Sequence, residues 1–102
     1  MKEYKPLPHY VTIRESEVSP GSFGIYTTRD IIANTIIGVT HHTIDYNDFE
    51  GNHTSEIIRT PLGGFCQVFE RHNCTHVLEN GVGKLVTLRA ILSGEELSSD
   101  FG

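Results

Sequence analysis

The chain has 102 residues and a net charge of −5, with 37% apolar and 21% charged residues, the length of one domain and the balance of a folded one. No apolar run approaches the ~20 residues that cross a bilayer, and no Lys/Arg cluster supplies the basic patch that nucleic acid requires. The opening Met1-Lys-Glu-Tyr-Lys-Pro6 lacks the apolar centre of a secretory leader, so the expectation is a cytoplasmic protein with no membrane and no nucleic-acid partner.

Residues 1–10 read as a lead-in segment and residues 11–102 as one domain. Short β-branched runs follow one another: Val11-Thr-Ile13, Ile31-Ile32, Ile36-Ile-Gly-Val39 and Leu85-Val-Thr-Leu88, each bounded by Gly, Asn, Ser or Pro. Asp45 to Gly51 is polar and reads as a turn or short helix, and Gly51 to Ser55 as loop. Asn80-Gly81 has the composition of a hairpin turn, because both residues tolerate positive φ. No window of a dozen residues carries a 3.6-residue apolar stripe. The fold class is therefore mainly β, with little helix.

One internal echo stands out. Thr27-Thr-Arg29-Asp-Ile31-Ile-Ala-Asn34-Thr-Ile36 matches Thr87-Leu-Arg89-Ala-Ile91-Leu-Ser-Gly94-Glu-Glu96. In each copy Arg is followed by Ile, then by a residue that turns cheaply into left-handed backbone. Each copy reads as a strand, a tight turn and the start of a second strand; two unrelated turns would give the same pattern.

Several residue types invite chemistry. His72, Cys74 and His76 have the spacing that places three side chains on one strand face; no fourth ligand has sensible spacing, with His41 or His42 left to approach only through the fold, and the reading is no metal. Cys66 and Cys74 read as free thiols, and Cys74 lacks the signature of a cysteine nucleophile. Asn52-His-Thr54 and Asn73-Cys-Thr75 match the glycosylation triplet by chance in a chain that is not secreted. Glu95 reads as solvated and Glu96 as bonded locally, since adjacent strand positions face opposite ways. Phe23, Tyr26, Phe65, Phe69 and Phe101 read as core. Arg71 is expected to pair with Glu70 or Glu79, or to bind an anion.

Three segments, in this order, resemble the SET-domain family. Ser22-Phe-Gly24-Ile-Tyr26-Thr-Thr-Arg29-Asp-Ile31 is similar to the family's Gly-x-Gly segment, Arg71-His-Asn-Cys74 to its Asn-His-Ser-Cys segment. Arg89-Ala-Ile91-Leu-Ser-Gly94-Glu-Glu-Leu97-Ser-Ser-Asp100-Phe101-Gly102 is similar to its closing Gly-Glu-Glu-Leu-x-x-Asp-Tyr-Gly segment, and is the most specific of the three. The likeness runs from Val11 to the C-terminus and is to the small stand-alone members of viruses and bacteria.

The resemblance implies several small curved sheets with a C-terminal pseudo-knot, and a protein-lysine methyltransferase that uses S-adenosyl-L-methionine. It implies cofactor binding by Ser22, Phe23, Gly24, Arg71 and His72, and places Phe101 at the catalytic tyrosine position with the hydroxyl lost. It also implies a protein substrate, a second copy or partner subunit closing the lysine channel (a homodimer in the first case), and host cytoplasm or nucleus if the source is viral. The chain departs from the family at Ser22, Arg71 and Phe101. An Arg at position 71 removes the amide oxygen that would accept from the cofactor's ammonium and adds a like charge. The alternative is a SET-like binding or assembly module that has lost its chemistry.

Overall fold

The computed structural model describes residues 7–100. Eight strands and one short helix follow in the order β1 (Val11–Glu15), β2 (Phe23–Thr27), β3 (Ile36–Asn47), β4 (His53–Arg59), α1 (Pro61–Phe65), β5 (Gln67–Val68), β6 (Cys74–Glu79), β7 (Val82–Thr87) and β8 (Glu96–Ser99). They form two four-stranded sheets, ordered β1-β2-β8-β5 and β4-β3-β7-β6. The mainly β reading holds.

The echo is a real structural unit. Ile31 and Ile91 face each other in an isolated antiparallel bridge, each N–H donating to the other's carbonyl at 2.8 Å. The Asn34 N–H donates to Thr87 O and the Gly94 N–H to Thr27 O, both at 2.8 Å, so each turn closes onto the strand that leads into the other. Asn34 (φ 61°) and Gly94 (φ 90°) both lie in the left-handed region that their residue types allow. Thr27, Thr87 and Ile91 are fully buried. Ile31-Ile32 is accordingly a single bridge residue and its exposed neighbour, not the strand expected from β-branching.

The core is aliphatic: Ile25, Ile37, Leu62, Leu85, Ile91 and Leu97, joined by Cys66 and Cys74. The aromatic side chains expected there are mostly outside it. Tyr26 is buried, but Phe23 is 58% exposed, Phe65 38% and Phe69 39%. The Asn80-Gly81 hairpin turn forms as expected, with φ of 53° and 77° between β6 and β7. Two local expectations fail. Asp45-Tyr46-Asn47 continues β3, and His53 to Ser55 begins β4, paired to β3 from His41↔Arg59 to Asn47↔His53. The turn between them is held by the Asp48 carboxylate, which accepts from the Glu50 and Asn52 N–H groups at 2.9 Å each. Tertiary pairing overrode local polarity.

Strand β8 is the piece that joins distant parts of the chain. It runs antiparallel to β2 (Ile25↔Leu97, Tyr26↔Glu96) and parallel to β5 (Gln67↔Ser98, Val68↔Ser99). Buried Asn73 stitches it further: its side-chain amide donates to Glu96 O and its side-chain oxygen accepts from the Ser98 N–H, both at 2.9 Å. Among the described residues no helix is long and apolar enough to cross a membrane.

Candidate functional site

A cavity of about 280 Å³ opens where β8 meets the β1–β2 loop. One wall is the loop residues Glu17 and Val18. Another is the start of β8 and the turn before it: Gly94, Glu95, Glu96 and Ser98. The 69–73 segment and Arg89 complete it, contributing Phe69, Arg71 and Asn73. Its volume lies just below the ~300–1,000 Å³ typical of small-molecule sites.

Of the described residues expected to bind the cofactor, Arg71 alone lines this cavity. Among the described residues no acid pairs with it, contrary to the pairing expected with Glu70 or Glu79. His72 is half-buried and turns back on its own segment, its Nδ1 3.1 Å from Phe69 O. Ser22 acts through its backbone, closing the β1–β2 loop by accepting from the Ser16 N–H (2.7 Å) and donating to Ser19 O (3.0 Å). Phe23 is exposed and its carbonyl accepts from Gln67 Nε2 at 2.8 Å. Gly24 sits in β2 beneath Glu96, where a Cβ would overlap the Glu96 carboxylate. Phe101 lies outside the described residues.

The two glutamates reverse their expected roles. Glu95 is the locally bonded one. It accepts from the Leu92 N–H at 2.6 Å and from both Arg89 guanidinium nitrogens at 3.4 Å. Partial burial pushes its carboxyl up, but the Leu92 N–H and Arg89 outweigh that and hold it below the ordinary value. Glu96 bonds across the molecule, accepting from Ser16 Oγ (2.6 Å) and the N–H groups of Glu17 (2.8 Å) and Val18 (3.1 Å), with Tyr26 Oη 3.1 Å away. Both line the cavity, because Glu95 precedes β8 and strand alternation does not govern it. Burial above all, then the Glu96 carboxylate, raise the Tyr26 phenol against a lowering by the Glu17 N–H, so it stays protonated.

The cysteines are inert. Burial pushes the Cys66 thiol up to about 11 and the Cys74 thiol up to about 12, which removes the thiolate a nucleophile needs. Neither is in a disulfide. His41 faces His76 with ring centroids 6.1 Å apart, but no group of three His, Cys, Asp or Glu able to hold a metal occurs among the described residues.

Sequence reasoning missed Glu17, Val18, Phe69, Asn73 and Arg89 as lining residues. Asn73 adjoins the Arg71-His72 pair and carried a signal of position. Glu17 and Val18 carried none, because their place depends on a contact some 80 residues away. Chemically, the lining offers the Arg71 guanidinium, which no acid pairs with among the described residues, the carboxylates of Glu17, Glu95 and Glu96, and the apolar Phe69 and Val18. That set suits a small ligand bearing both charges and a flat ring.

No family model matches the chain, and no curated protein matches it either. Solved structures do. The methyltransferase domain of human PR domain-containing protein 2 superposes with a TM-score of 0.66 at 20% identity, over 94% of this chain and 79% of that one. The SET domain of the RIZ1 tumor suppressor (PRDM2) gives 0.69 at 16% identity, over 92% and 70%. A Plasmodium falciparum protein provisionally named a histone methyltransferase gives 0.70 at 15% identity, over 94% and 96%. Two small sheets, an aliphatic core and neighbours of this kind establish that the chain has the SET-domain fold.

Proposed function

We propose that the chain binds S-adenosyl-L-methionine in the cavity between β8 and the β1–β2 loop and transfers its methyl group to a lysine of a protein. The observation that carries this reading is that Arg71, which no acid pairs with among the described residues, lines that cavity together with Glu17 and Glu95. The cofactor has a carboxylate, an ammonium, ribose hydroxyls and an adenine. Arg71 suits the carboxylate, Glu17 and Glu95 suit the ammonium and hydroxyls, and Phe69 with Val18 suits the face of the base. This exchanges the roles implied by the family motif, where the residue matched by Arg71 holds the ammonium. The chain's residues fit the group in that reversed sense. When bound, the cofactor supplies an electrophilic methyl on a sulfonium. The lysine must arrive neutral although free lysine titrates near ~10.4, so the site must take up its proton or hold the amine away from water.

The likeness to methyltransferase domains supports the same function, and the net charge of −5 supports a basic protein segment as substrate rather than nucleic acid. Phe101 at the tyrosine position, with no hydroxyl to aim at the amine, would set a low rate. The knot-like crossing of the family is supported by the parallel β5–β8 pairing and the Asn73 bridge to β8. A second copy completing the lysine channel belongs to the same proposal.

A second reading, a binding module without chemistry, is favoured by one observation: the space above Gly24 is filled by Glu96 and not left open to a ligand. Calorimetry with S-adenosyl-L-methionine separates the two. Heat that disappears in Arg71→Ala supports the first reading; no heat at millimolar cofactor ends it. Transfer of labelled methyl to a lysine-rich protein mixture would defeat the second reading.

A further inference from the structure

The carboxylate of Glu96 lies between two walls of the cavity that are far apart in sequence. It belongs to β8, yet its oxygens accept from Ser16 Oγ, the Glu17 N–H and the Val18 N–H of the β1–β2 loop. The Ser16 hydroxyl accepts in turn from the Ser19 N–H at 2.9 Å, so one carboxylate sets the path of four consecutive residues. Tyr26 Oη joins the cluster by accepting from the Glu17 N–H at 3.0 Å and bonding Glu15 O at 2.8 Å. Gly24 supplies the room: any side chain there would displace the Glu96 carboxylate.

We infer that Glu96 is a positioning residue: seated over Gly24, it locks the β1–β2 loop into the shape that presents Glu17 and Val18 to the ligand. Gly24 then serves the site as the socket for Glu96 and not as a ligand contact. The inference rests on the cofactor reading above for what the cavity holds, but the lock itself does not. A carboxylate that accepts from two adjacent N–H groups and a hydroxyl is a nest in reverse, with the anion supplied by the protein. Replacing it by an amide turns one acceptor into a donor that faces an N–H or a hydroxyl, with little change in shape.

The test uses Glu96→Gln and Ser16→Ala in the full chain, with hydrogen exchange at the Glu17 and Val18 amides read beside S-adenosyl-L-methionine affinity by calorimetry. Glu96→Gln is expected to speed exchange at those two amides and weaken cofactor binding by about 10- to 100-fold, the range of a lost charge-assisted hydrogen bond. Ser16→Ala should do the same to a smaller degree, and Ser16→Thr, which keeps the hydroxyl, should restore the native values. Ile37→Val, a core change far from the loop in sequence, serves as control: it lowers the melting temperature and leaves affinity alone. Unchanged exchange at Glu17 and Val18 in Glu96→Gln overturns the lock. Faster exchange with unchanged affinity overturns the positioning role. If the native chain binds no cofactor while the amides still respond, the cofactor reading and the positioning role fall together, and the lock stands alone.

Discussion

The crossing of the two turns at Ile31 and Ile91 and the β3–β4 hairpin are built on opposite principles. In the crossing the backbone partners of Ile31, Ile91, Asn34 and Gly94 are distant in sequence, and the side chains between are buried: Ile31, Ile91, Thr27 and Thr87. In the hairpin the partners are local, and almost nothing is covered. Ile57 is 62% exposed, Ile58 50%, and Phe49 at the tip 99%. Strand β4 is also a sheet edge, with no strand on its outer side among the described residues. The crossing obtains its stability from apolar area taken from water; the hairpin obtains its shape from a turn and a ladder, and adds little to the core.

Mutation at the crossing should break the fold, and mutation of the hairpin should not. The largest expected effect is Ile91→Ala, which empties a fully buried site and should cost about 2–5 kcal/mol in urea unfolding. A loss under 1 kcal/mol would place the core elsewhere. Gly94→Ala comes next, at about 1–2 kcal/mol, because φ of 90° burdens any residue with a Cβ. An alanine no worse than the native glycine would mean that the turn relaxes.

His76 lies between the two regions, in β6 opposite His41 at the root of the hairpin. Burial, then His41 and Arg59, lower its pKa, against a raising by Asp100. A histidine that resists protonation when folded leaves the unfolded chain binding more protons. Stability should therefore be full above the ordinary value of 6.5 and decline as the pH falls through it towards the depressed folded value. Unfolding midpoints at pH 7.5 and 5.5 measure this, and His76→Gln should flatten part of the difference. The smallest effects belong to the hairpin: Ile57→Thr and Phe49→Ser should change stability by no more than about 0.5 kcal/mol. A larger loss in either would show that the hairpin is covered in solution.

What the sequence disclosed follows the same division. Asn34, Gly94 and the Asn80-Gly81 pair were legible because left-handed backbone restricts residue type so strongly that the residue reveals the turn. The closing Gly94-Glu95-Glu96-Leu97 run identified the strand at the centre of the first sheet. Strand β4 was illegible for a physical reason: a strand with no buried face has no alternation to read. The site was legible only at Arg71. The cavity walls depend on Glu96 reaching the β1–β2 loop, and on a glycine whose role is to leave space. Neither is a matter of local spacing, so Glu96 was assigned local partners in place of the β1–β2 loop.

The position of β8 also sets the order in which the chain can assemble as it is made. β3 can pair with β4, and β6 with β7, as soon as each hairpin leaves the ribosome. The first sheet cannot close, since β2 has to wait some 70 residues for its neighbour, from Tyr26 to Glu96. Until then Ile25 and Leu62 lack Leu97, and an incomplete sheet stands open to other chains. Newly made copies should accordingly be most prone to clump in the interval before the last described strand slides between β2 and β5.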